Sequence, residues 1–203
     1  ADAWWNEQPL PVGCNFSPSS AINQLEMWQE ESFDLPTIER ELAWAGGLGF
    51  NAVRVYLHDL LWQNDSTGLL ARMDQVLGAA ERAGIRILFV LFDDVWNPEP
   101  RLGPQPAPHP GRHNSGWVQG PGLGVLNAYP DDPAISDRLA AYVAGVMERF
   151  AEDSRVLMWD VYNEPGGYPS PGAEPVGEAC LRGHFIDGEL RGAKFAQGAA
   201  GDP

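Results

Sequence analysis

Basic residues are scarce in this chain. Thirteen Lys and Arg stand against 28 Asp and Glu, a formal charge of −15 at neutral pH. No basic patch can form to follow a phosphate backbone or an anionic lipid surface, so neither nucleic acid nor a membrane is an expected partner. Long apolar runs are also missing. Nothing approaches the roughly 18 residues of a membrane span, and no leader with a charged start and apolar middle is visible. The opening Ala1-Asp2-Ala3 suits the end left by removal of one. Cysteine is nearly absent. Cys14 reads as a small buried hydrophobe in a strand and Cys180 lies in a Gly-rich stretch. Nothing beyond their number supports a bridge. No His/Cys spacing suits a metal, so no metal or other cofactor is expected.

What is present describes a globular domain. The 203 residues are 44% apolar and 20% charged, enough for one domain with a sizeable core. Eight tryptophans are many for this length. An exposed indole face stacks on the C–H face of a sugar ring, although most of the eight are expected in the core.

Along the chain, strands and helices alternate. Residues 1–9 read as an aromatic arm, and Leu10 to Phe16 as a first strand. Ser17 to Phe33 reads as a polar loop with a helical turn, in which Trp28 is either core or a ligand platform. Asp34 and Pro36 open a helix that Gly46, Gly47 and Gly49 close. Asn51 to Leu57 is a second strand, apolar except for Arg54. A helix starting at Asp65 or Ser66 runs to Gly84, and Ile85 to Phe92 is a third strand ending in Asp93-Asp94. A long Pro/Gly-rich loop from Val95 to about Asp132 carries His109, His113, Asn114 and Trp117; loops of this length are usually functional or disordered. Asp132-Pro133 starts a helix whose face is Ile135, Leu139, Tyr142, Val143, Val146, Met147 and Phe150. The fourth strand follows at Val156 and ends in Asn163-Glu164-Pro165. The βαβαβαβ order predicts parallel strands joined by right-handed helical crossovers. From Gly166 to Pro203 the periodicity stops, no fifth strand can be placed, and irregular structure is expected.

A carboxylate at the C-terminal end of a parallel strand occupies the position where α/β barrels keep their catalytic groups. The stretch Trp159-Asp160-Val161-Tyr162-Asn163-Glu164-Pro165 resembles the fourth-strand signature of the clan A glycoside hydrolases, nearest to family 5, which includes cellulases and mannanases. Arg54 in Asn51-Ala52-Val53-Arg54-Val55, the first strand Gly13-Cys14-Asn15-Phe16 and the loop His113-Asn114-Ser115-Gly116-Trp117 add to that resemblance, which spans about residues 10–166.

The resemblance implies a (β/α)8 TIM-type barrel of which the first four β/α units are evident, with 1–166 as its N-terminal half and 167–203 as an irregular tail. It implies a retaining glycoside hydrolase acting on a β-1,4-linked polysaccharide, cellulase-like by expectation, with a xylanase or mannanase of the same clan as the alternative. Such substrates favour a secreted or periplasmic location. Glu164 would be the general acid/base, its pKa raised by apolar surroundings or a nearby anion. Asn163 would hydrogen-bond the sugar 2-hydroxyl. Arg54 would hold the nucleophile ionised, and as a guanidinium among valines it needs an anionic partner in any case. His58, four residues past Arg54, is expected on the same face, as a substrate contact or a hydrogen-bonded structural histidine. Of Asp93 and Asp94, one is a candidate for sugar hydroxyls and the other for a loop cap, and Trp96 and Trp117 are candidates for sugar platforms; Tyr162 is expected in the core.

One part of the family pattern is missing. The nucleophile is a second glutamate ending strand seven, and Glu174, Glu178 and Glu189 follow no apolar strand. Retaining chemistry needs two carboxyl groups about 5–5.5 Å apart. Three accounts are open: a truncated or frame-shifted barrel, a homodimer of half-barrels that buries its strand edges, or a carboxylate supplied by the tail. Two rivals remain: a catalytically inactive carbohydrate-binding fragment, and a barrel enzyme holding a divalent metal on Asp93, Asp94 and His58.

Overall fold

The structure, a computed structural model, describes residues 2–129, 131–165, Val176 and 195–196. Five parallel strands lie in chain order: β1 (Gly13–Asn15), β2 (Ala52–Tyr56), β3 (Arg86–Asp93), β4 (Val156–Asn163) and β5 (Phe195–Ala196). Between them run α2 (Gln24–Trp28), α3 (Leu35–Gly47), α4 (Asp59–Arg82), α5 (Leu123–Ala128) and α6 (Pro133–Phe150), after a short N-terminal α1 (Asp2–Asn6). Sequential parallel strands with helical crossovers are the first units of a (β/α) barrel, as the alternation predicts.

Local chemistry sets the helix ends. Asp34 accepts from the Thr37 N–H at the start of α3, and Asp132 from the Ala134 N–H at the start of α6, each followed by a proline in the first turn. The two helix-to-strand joints that look alike in sequence share a left-handed glycine: φ is +91° at Gly49 and +73° at Gly84. On one face of the sheet Val53, Val55, Ile87, Phe89 and Leu91 join Leu42, Met73, Leu77, Val146 and Phe150 in one buried core. Arg54 and Tyr56 alternate to the other face. On that face a cleft of about 410 Å³ is lined by Trp5, Asn15, Arg54, Leu88 and Met158, among others.

Several expectations need correction. The first strand is only three residues long and pairs on one side alone, so Cys14 is exposed. Its predicted burial assumed a covered strand. The polar loop contains the predicted turn as α2, and its Trp28 belongs to the core, fully buried with the indole N–H donated to the Tyr56 carbonyl. α4 begins at Asp59, six residues before the expected start. Asp65 interrupts it with a non-helical φ of −157° and accepts from the Gly68 N–H, so the predicted cap is real but restarts a helix already begun. The long loop contains α5. The C-terminal stretch, expected to lack a strand, supplies β5, paired with Trp159 and Asp160. Two paired residues leave no periodicity to read. The irregular structure expected for the rest of 167–203 otherwise falls outside the described residues, apart from buried Val176. No helix among the described residues is long and apolar enough to cross a membrane.

Candidate active site

Parallel register brings the candidate residues together. Asp93 ends β3 and Asn163 ends β4, and the two are direct partners in the ladder. The Asn163 Nδ2 donates to Asp93 Oδ1 at 2.9 Å, while its Oδ1 accepts from an Arg54 guanidinium N–H at 2.8 Å. Arg54 therefore reaches from β2 to the end of β4. Its main partner is Asp160, which lies on β4 and is 6% exposed; Nε lies 3.1 Å from Asp160 Oδ2, and a terminal nitrogen closes a salt bridge to the same oxygen. The guanidinium also donates to the Tyr56 hydroxyl, with its carbon 4.8 Å from that ring's centre.

Asp93 is 1% exposed and accepts a second hydrogen bond, from the Trp117 indole N–H at 2.6 Å. Burial pushes its carboxyl up to about 6, and the charge of Glu164 adds to this. The bonds from Asn163 and Trp117, together with Arg54, pull the other way. Burial likewise pushes the Tyr56 hydroxyl up to about 12, with Arg54 opposing. Trp117 meets Tyr56 edge-on, with ring centres 5.0 Å apart. The loop that delivers Trp117 is fixed at several points. Gly120 and Asp93 exchange backbone hydrogen bonds, Gln24 donates to the Val118 carbonyl at 2.7 Å, and Asn23 donates to the Gly116 carbonyl at 2.8 Å.

Glu164 follows directly on β4. It is exposed, with a left-handed φ of +49°. A non-glycine residue held there costs on the order of 1–3 kcal/mol, and such strain gathers at functional sites. The apolar surroundings expected for its carboxyl are not found among the described residues. Trp96 is the bulkier case, at φ +75°, with its indole N–H buried without a partner and its ring 5.6 Å from that of His113.

Other candidates are structural. His58 is fully buried. Its Nε2 lies 2.9 Å from the Gln119 carbonyl, and its Nδ1 accepts from the Leu60 N–H as the N-cap of α4. The strand ends at Tyr56, so two-residue alternation does not carry on to His58, and its geometry is that of the hydrogen-bonded structural histidine, the second of the two readings. Asp59 beside it accepts from Gln63 at 3.1 Å and Arg138 at 3.2 Å. Asp94 is fully buried and accepts from the Gln119 side chain, which leaves it no route to a sugar hydroxyl. Among the described residues no three His, Cys, Asp or Glu side chains are grouped to hold a metal, and the His58 nitrogens are already engaged. Tyr162 is buried as expected; burial first, and then the Asp94, Asp93 and Asp59 charges, push its hydroxyl far up.

Asp160, Tyr56 and Gln119 were not singled out from sequence. Asp160 carried a usable signal, as an acid inside the apolar run Val156-Leu157-Met158-Trp159 that could meet the anion requirement of Arg54. Gln119 carried none, because loop amides leave no pattern.

Comparison with protein-family models finds no match, and neither does comparison with curated protein sequences. Comparison with solved structures does find similarity. The exo-β-1,4-mannosidase Op5Man5 from Opitutaceae bacterium strain TAV5 is 25% identical with a TM-score of 0.53, over 78% of this chain and 26% of that one. GH5_18 from Streptomyces cattleya in complex with GlcNAc is 17% identical with a TM-score of 0.57, over 92% of this chain and 44% of that one. The endo-1,4-β-mannanase from Rhizomucor miehei is 14% identical with a TM-score of 0.52, over 81% and 51%. This chain thus spans between about a quarter and a half of each. Its fold is that of a partial (β/α)8 barrel, similar to part of each of these enzymes.

Proposed function

We propose that this chain carries the acid/base half of a retaining β-glycosidase acting on β-1,4-linked mannosides. The observation that carries this reading is the pairing at the strand ends: Asn163 fixed between Arg54 and Asp93, with Glu164 next in the chain. Glu164 would protonate the glycosidic oxygen and later take a proton from the attacking water. Asn163 keeps one amide hydrogen for a sugar 2-hydroxyl. Arg54, held by Asp160, supplies the positive charge of the site. Trp117, and Trp96 at the rim, would offer indole faces to the sugar.

The choice of sugar departs from the cellulose expected of the sequence. It rests on likeness to an exo-β-1,4-mannosidase at 25% identity. The second carboxylate has no assigned residue, and the half-barrel homodimer remains one source for it. The test is reducing-end release from β-1,4-mannan and from soluble cellulose by the purified chain and by Glu164→Gln. We expect release from mannan by the parent, reduced at least about 100-fold in the variant. Full activity in Glu164→Gln rules out the acid/base assignment. Preference for cellulose rules out the mannoside.

A further inference from the structure

We propose that Asp93 is the positioning carboxylate of this site, holding the Asn163 amide and the Trp117 indole in the one arrangement that accepts a sugar. The proposal rests on the glycosidase reading for the identity of the ligand and on geometry for everything else.

An asparagine amide presents two N–H donors on one end and a carbonyl on the other, and the two orientations differ only in what they meet. Here Asp93 stands at the nitrogen end and Arg54 at the oxygen end. A flip would aim the carbonyl at a carboxylate and the N–H donors at a guanidinium, so two favourable contacts would become two repulsive ones. Asp93 thus decides which amide group points at the remaining space. Its other oxygen takes the Trp117 N–H, which with the edge-on contact to Tyr56 sets the plane of that indole. The carboxylate is 1% exposed, so it acts through these two residues and not on the sugar itself.

The arrangement needs an ionised Asp93. A proton on either oxygen removes the negative charge that both N–H groups meet and turns two charge-assisted contacts into weaker neutral ones, which loosens the hold on both partners. The groups facing this carboxylate are Arg54 and Tyr56 from β2, Tyr162 from β4, Glu164 directly after β4, and Trp117 and Asn163 as donors. Burial has pushed its titration up to about 6, so this change occurs in a mildly acidic range well above an ordinary carboxyl.

Two readouts on the full chain test this. In ¹⁵N-resolved NMR, the Trp117 indole N–H, assigned with Trp117→Phe, should shift with a midpoint near pH 6, and Asp93→Asn should abolish that titration. In calorimetry with β-1,4-mannobiose, affinity should fall about tenfold or more between about pH 7.5 and about pH 5. Asp93→Asn should bind about tenfold more weakly at the higher pH and lose that pH dependence. An indole signal that does not titrate overturns the proposal, and so does Asp93→Asn binding with the parent's affinity and pH profile. The indole titration is measured on the unmutated chain, so a variant that fails to fold does not remove the test. If the indole titrates as expected but mannobiose binds at no pH, the positioning claim stands and the mannoside reading fails.

Discussion

At the scale of the residue, the site is a set of opposed charges that cannot be moved one at a time. Arg54 answers Asp160, Asn163 bridges Arg54 and Asp93, and Asp93 answers Trp117. Asp93 bears a stability cost. Its carboxyl titrates at about 6 in the fold against an ordinary value of 3.8, so the folded chain holds that proton more tightly than the unfolded one. The contribution is fully present below the unfolded value and is lost as pH rises through about 6. Asp34, Asp65 and Asp153 are shifted the other way, chiefly by hydrogen bonds to their carboxylates, and their contributions are lost as pH falls below the ordinary range. Comparing the parent with Asp93→Asn isolates the first effect. Relative to the variant, the parent should lose on the order of 2 kcal/mol of stability between about pH 4 and about pH 7, read by urea unfolding at each pH. A difference that does not change with pH contradicts the burial assigned to Asp93. Sequence made part of this visible. A lone arginine in a valine-rich strand demanded an anion, and Asn163-Glu164 at a strand end marked the site. It did not show whether Asp93 or Asp94 faces inward, because both occupy a strand end, where loop contacts set direction.

At the scale of the element, the loop between β3 and α5 behaves as part of the scaffold. Two side chains at the start of α2, its N-cap Asn23 and Gln24, hold its carbonyls, and His58 at the start of α4 holds the carbonyl of Gln119. This explains how a Pro/Gly-rich segment can present Trp117 to Asp93 with defined geometry. Replacing His58 with Ala removes both the loop tie and the α4 cap and leaves a cavity. It should cost about 2–4 kcal/mol. It should also speed tryptic cleavage after Arg101 and Arg112, which lie exposed in the loop, more than cleavage elsewhere. Cleavage at the parent rate would show that the loop is held by other means. The helices were legible because their caps and apolar faces follow fixed spacings, as α3 and α6 show. β1 was legible as a strand within 10–16 but not in its bounds, and β5 was not legible, because strands of three and two residues have no period to detect. The true start of α4 was hidden because its cap is a histidine, outside the usual Ser, Thr, Asp and Asn set.

At the scale of the whole molecule, the sheet presents an inner face on which Asn15, Arg54, Leu88 and Met158 line a cleft of about 410 Å³, with the exposed Cys14 on the edge strand beside it. Pairing of two half-barrels would cover this face and the strand edges in a single step. It predicts a dimer in sedimentation of the purified chain, with Cys14 protected from thiol reagents. A strict monomer with a reactive Cys14 excludes the pair and leaves the second carboxylate to be supplied by other sequence. The parallel α/β class was legible from the alternation of strand and helix, and the barrel from the resemblance at the end of the fourth strand. The second carboxylate was not, because among the described residues no other strand is followed by a glutamate.

The most direct measurement is the dependence of rate on leaving group in Glu164→Gln. A general acid matters only when the departing oxygen needs a proton. On β-1,4-mannobiose, whose leaving group is a sugar, the variant should fall at least about 100-fold below the parent. On a dinitrophenyl β-mannoside, whose phenolate leaves unaided, the first step should proceed at close to the parent rate. Equal losses on both substrates, or no loss on either, would contradict Glu164 as the acid/base and the reading built on it.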